Sequence, residues 1–109
     1  MEDNIRHNLS IACTMGMDEC DEALAYLAAA KYKKLSISLD DISDYLFDLK
    51  AVDAKVGPAI EALEKLAAAI YELDKLPASN KALHAFTVGA ASAYLRVLHD
   101  VFKDIQFKL

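Results

Sequence analysis

A chain of 109 residues, 55% hydrophobic and 27% charged, has the size and composition of one folded domain over residues 1–109, with a single core and no room for a second. Its formal net charge of -5 excludes a nucleic-acid surface, which needs a clustered excess of Lys and Arg, and directs any partner surface toward basic or neutral character. The longest stretch without a charged side chain lies between Lys81 and Arg96, short of the roughly 20 apolar residues that span a bilayer, so no membrane contact is expected.

The N-terminal segment is acidic at its start and has no apolar run behind a basic one, so it does not read as a signal peptide and a cytoplasmic location is expected. In that compartment Cys13 and Cys20 read as free thiols.

The first helix is expected over 3–15, with Ile5, Leu9 and Ala12 on one face and Gly16 as its stop. A second follows over 18–34, with Asp18, Glu19, Asp21 and Glu22 in its first turn and Lys31, Lys33 and Lys34 in its last, the order the helix dipole favours. The same residues also fit one continuous helix, because Ile5, Leu9, Ala12, Gly16, Cys20, Leu24 and Leu27 keep a helical repeat. A continuous helix would hold Cys13 and Cys20 about 10 Å apart along its axis, beyond disulfide reach, whereas a tight turn would let them meet.

The third helix is expected over 39–54. Ser38 serves as its N-cap, Asp41 stands three residues later, Ile37 packs on Ile42 as a staple, and Ile42, Tyr45, Leu46, Leu49 and Val52 face inward. Gly57-Pro58 starts a fourth helix over 58–76, with Ile60, Leu63, Ala67, Ile70 and Leu73 inward and Glu61 paired with Lys65 outside. Ser79 caps the last helix, 80–105.

That last helix is apolar on two sides. Leu83, Phe86, Ala90, Tyr94, Val97 and Val101 form one stripe; Val88, Ala91, Leu95, Leu98, Phe102 and Ile105 form the other. Either it is the central helix of the bundle, or one stripe meets another molecule, a second copy of this chain included. Gly89, Ala90 and Ala93 add small residues that admit a close helix neighbour, inside the fold or outside it. The fold class is therefore all-α: a bundle of four to five mostly antiparallel helices, with the last helix central.

Catalytic and metal chemistry find little to build on. His84 and His99 lie about 22 Å apart along one helix and cannot share a metal ion. There is no HExxH, no Glu-x-x-His of the di-iron type, no CxxC, no G-x-S-x-G and no glycine-rich phosphate loop. Neither a cofactor nor a metal is expected, and a non-enzymatic role is.

The segment Lys81 to Leu95, with its helix-borne His84, resembles the phosphoacceptor helix of histidine phosphotransfer domains over about fifteen residues. That family places a Lys three residues after the His and a Gly directly after the Lys, where this chain has Thr87 and Val88, with Gly89 one position later. The resemblance implies His84 as phosphoacceptor, with Lys81, one turn before it, supplying the charge.

Asp40, Asp44, Asp48 and Phe47 share one side of the third predicted helix, which sets an aromatic within an acidic stripe. Covered by the first helix, Phe47 would be a packing residue; uncovered, it would be an interface anchor ringed by charges that steer a basic partner. Leu95, Phe102 and Phe107 are further candidate contacts on the last helix, and Phe107 and Leu109 need cover at the terminus. By elimination the expected function is a small acidic protein-interaction module, an adaptor, a chaperone, or an inhibitor or immunity-type protein that covers a partner's surface, with phosphotransfer through His84 as the alternative.

Overall fold

The computed structural model describes residues 2–50, 56–77 and 79–109. They form four helices: α1 (Asp3–Ala28), α2 (Tyr32–Lys50), α3 (Gly57–Lys75) and α4 (Lys81–Lys108), with no strand among the described residues. The bundle is all-helical as the sequence predicts.

The separate helices 3–15 and 18–34 are corrected to one, since α1 passes unbroken through Gly16. The reason lies on α4. A Cβ placed on Gly16 would fall 2.5–2.7 Å from ring atoms of Phe102, whose side chain is fully buried. Gly16 is thus a notch that receives an aromatic ring. An interior glycine costs a helix about 1 kcal/mol, and burying a Phe side chain returns roughly 1.5–3 kcal/mol, so the notch wins over the helix break. A straight α1 also holds Cys13 and Cys20, both buried and free, two turns apart. Burial pushes their thiols up to about 11 and about 12, so neither is a thiolate at neutral pH.

The chain turns after Leu27 instead. The buried stripe Leu9, Cys13, Gly16, Cys20, Ala23, Leu27 would, if continued, bring Lys31 and Lys34 into the core. Ala30 adopts a left-handed conformation (φ 56°), and its N–H and that of Lys31 donate to the carbonyls of Leu27 (3.1 Å) and Tyr26 (2.9 Å). This pair of bonds is a Schellman termination with alanine where glycine is usual.

Consequently α2 starts at Tyr32, seven residues before the expected 39, and the Ser38 cap and Ile37 staple are both corrected. Ser38 is buried in mid-helix and Ile37 is exposed. Leu35, Leu39, Ile42, Leu46 and Leu49 form one unbroken buried stripe, and burying Leu35 outweighs the roughly 1 kcal/mol that a cap supplies. Val52 lies outside the described residues. Asn80, rather than Ser79, caps α4, its Oδ1 accepting from the Leu83 N–H at 3.2 Å. The far end of α4 runs to Lys108, and Gln106 Nε2 donates to the Ser10 carbonyl (2.9 Å) and to Thr14 Oγ1 (2.7 Å).

Phe102 at Gly16 and Gln106 at Ser10 show that α1 and α4 run antiparallel. Around the bundle α1 touches α2 and α4, α4 touches α1 and α3, and α2 meets α3 least closely. The last helix is therefore a corner helix with two neighbours, and its expected central position is corrected. Its stripe Ala91, Leu95, Leu98 and Phe102 fills the core, while Leu83, Phe86 and Val97 of the other stripe are exposed, Phe86 to 75%. The elongated body measures 54 × 21 × 18 Å.

Three substitutions test these assignments. Gly16→Ala should lower stability by about 1–2 kcal/mol despite the better helix propensity of alanine, because overpacking outweighs it, and Phe102→Leu in the same chain should recover most of the loss; both are read from denaturant midpoints. Ala30→Gly should raise stability by about 0.5–1 kcal/mol, seen as a rise of a few degrees in Tm, by relieving the left-handed alanine.

Candidate functional site: the α2 face and the α2–α3 groove

The two shorter helices meet loosely because small or polar side chains, Ser36, Ser43 and Ala67, stand where they face each other. Between them runs a groove of about 550 Å³, floored by Leu39, Leu63 and Ile70 and edged by Tyr71. Lys75 stacks over the Tyr71 ring with its ammonium 4.0 Å from the centroid, which holds that rim residue in place.

Ala67, expected to face inward, lies exposed in this groove, while Leu63 is half-buried, packed against the core and also lining the groove; the buried α3 positions are Ala59, Ala62, Leu66, Ala69, Ile70 and Leu73. Apolar surface on α3 is therefore wider than its two neighbours cover. The groove continues past Ser43, Leu63 and Glu64 into a hollow of about 220 Å³ beside Leu46, Phe47 and Ile60. At its other end it opens, around Tyr32, Lys33 and Asp74, on a hollow lined also by Lys31 and Lys34.

Phe47 is 60% exposed at the lower end of the groove, and Asp40, Asp44 and Asp48 are exposed on the same helix. The first helix does not cover it. Acidic charge continues across the α1–α2 seam. Burial holds the Glu19 carboxyl above its ordinary range, helped by Glu22, Asp41 and Asp18 and opposed by a hydrogen bond from the Ser38 hydroxyl. Burial likewise raises the Tyr45 phenol, with Glu19, Asp41, Asp44 and Asp48 adding to the effect.

The remaining candidates are not gathered here. Leu95 and Phe102 are fully buried core residues and present no surface to a partner, so their docking role is corrected. Phe107 is 91% exposed at the end of α4 and lines neither the α2–α3 groove nor the hollow beside Phe47. His84 is partly buried in the first turn of α4, and its Nε2 makes a hydrogen bond of 3.1 Å with the Tyr32 hydroxyl, which a phosphoryl group on that nitrogen would have to displace. Lys81 is exposed one turn away, and Thr87 is buried, its hydroxyl donating to the Leu83 carbonyl at 2.9 Å. Among the described residues no three His, Cys, Asp or Glu side chains cluster as a metal site would need, and no helix is long and apolar enough to cross a membrane.

Sequence spacing found Phe47 and its carboxylates but not the groove, Tyr71 or the three lysines at its head. The available signal was the excess of apolar positions on α3.

A raised carboxyl is favoured in its protonated form by the fold, so the associated destabilisation is absent below the ordinary pKa of 4.5 and grows as pH rises through the raised folded value. Glu19→Gln should accordingly stabilise the protein at pH 7 by about 0.5 kcal/mol, with the advantage vanishing by pH 4; paired thermal melts at the two pH values check this.

No protein-family model matches the chain, and comparison with curated proteins and with solved structures likewise gives no match.

Proposed function

We propose that the protein is an interaction module that docks onto a partner protein with a basic surface, using the α2 face around Phe47. The observation that carries this reading is an aromatic side chain left 60% exposed within a row of exposed aspartates. An uncovered Phe ring forgoes burial worth roughly 1.5–3 kcal/mol, which a partner pocket recovers. The flanking carboxylates supply approach and orientation: exposed charge pairs add little to affinity at contact but raise the association rate and exclude acidic surfaces.

The acidic seam Glu19, Asp41, Asp44 and Asp48 has no basic side chain within ion-pairing distance among the described residues. Its mutual repulsion is relieved when a basic surface approaches. An adaptor, a small chaperone and an inhibitor all work by this covering step, and the partner's own surface decides among them.

Affinity capture from the native source, followed by mass spectrometry, tests the reading with the full chain as bait. A partner held by the wild-type chain should be lost with Phe47→Ala, a drop of roughly thirtyfold or more in affinity, while the melting curve stays within a degree or two because the side chain is exposed. Recovery should also fall as salt is raised. Equal recovery by the two baits of everything that is enriched would sink it.

A further inference from the structure

The groove carries an inference that rests on the docking reading and goes further in naming the shape and polarity of what is docked. Its floor is apolar, through Leu39, Leu63 and Ile70, and its walls are low where Ser43 and Ala67 stand. From Lys33 to Phe47 it follows α2 for about four turns, or roughly 21 Å. These are the dimensions and the surface of a seat for one more helix, in the manner of helix-in-groove recognition.

Charge along the groove is not uniform. The head, at the α1–α2 turn, holds Lys31, Lys33 and Lys34 against a single carboxylate, Asp74. The middle and lower parts hold Asp40 of α2 and Glu64 of α3 with no lysine in the lining, and exposed Asp44 follows Asp40 one turn later on α2. A ligand lying along the groove therefore meets positive potential at one end and negative potential at the other.

We propose that the α2–α3 groove binds an amphipathic helix of a partner protein, about four turns long, whose acidic end lies at Lys31, Lys33 and Lys34 and whose basic half lies along Asp40, Glu64 and Asp44. Its apolar stripe, spaced three and four residues apart, covers Leu63 and Ala67 and ends against Phe47. The polarity fixes which end of the helix goes where, and the floor supplies the buried area.

Designed, fluorescein-labelled helical peptides of about 18 residues serve as probes against the full chain. One carries a leucine stripe with glutamates at one end and lysines at the other, a second carries the same stripe with lysines throughout, and a third has the two-ended charges with its leucines scattered around the helix. By fluorescence anisotropy the first should bind roughly tenfold more tightly than the second, the sum of a few exposed ion pairs, and the third should not bind measurably. Ala67→Trp, a change at an exposed position that fills the groove, should weaken the first peptide tenfold or more with no loss of helical signal. A nitroxide on the acidic end should broaden the amide resonances of Lys33 and Lys34 and leave that of Phe47, roughly 21 Å away along α2, sharp.

Equal affinity for the first two peptides, or broadening at Phe47 from the acidic end, overturns the polarity. Undiminished binding to Ala67→Trp overturns the groove. If sedimentation shows a dimer that the peptide dissociates, a second copy is the occupant and the proposal is wrong. The two readings separate cleanly: a partner that depends on Phe47 yet still binds Ala67→Trp leaves the docking face standing and removes the groove, whereas polar peptide binding that survives Phe47→Ala supports the groove and removes Phe47 as the anchor.

Discussion

Phe102 can be buried only because residue 16 has no side chain, and the register of the two longest helices follows from that. With the ring seated at Gly16, Gln106 reaches Ser10 and Thr14, and His99 lies beside Asp21, each pair stepping in opposite directions along α1 and α4. The neighbouring core positions on α1, Cys13 and Cys20, carry side chains that are already fully buried, so a slip of α4 by a turn would drive the ring into occupied space. The pair α1–α4 is thereby a fixed frame on which the shorter helices are laid.

Each short helix has a long one behind it: α2 lies on α1 and α3 lies on α4. Leu35, Ile42, Leu46 and Leu49 of α2, and Leu66, Ile70 and Leu73 of α3, complete the core from those positions. Once that burial is made, little further gain is available between α2 and α3, where Ser36, Ser43 and Ala67 are too short to interdigitate. The groove is a consequence of residue size at the seam, and larger residues there would have closed it.

The sequence made the helical class, the approximate extents of α3 and α4, and the Phe47 stripe legible, because each is written in local periodicity. It misplaced the α1–α2 turn for one kind of reason. Gly16 resembles a stop and Ser38 a cap by local rules, but Phe102 and the buried stripe around Leu35 outweigh those rules from elsewhere in the chain. The two apolar stripes of α4 were equally visible, and only the notch in α1 decides which turns inward. Ala67 was misread, and Leu63 is only half-buried, because α3 carries more apolar positions than a corner helix can bury, and periodicity alone does not choose among overlapping stripes. The groove could not be read at all, since it is a relation between two helices and belongs to neither.

Net charge conceals the arrangement that matters at this site. At physiological ionic strength the screening length is about 8 Å, while the lysine turn and the carboxylates around Phe47 stand roughly 21 Å apart along α2, more than two such lengths. A ligand in contact with the groove therefore responds to each end separately and barely to the total of -5. At longer range, before contact, the acidic surplus over the α1–α2 seam dominates and favours the approach of basic surfaces. Attraction by the whole molecule and alignment by the groove are thus different physical effects, set by different residues, and the first brings to the surface what the second can orient.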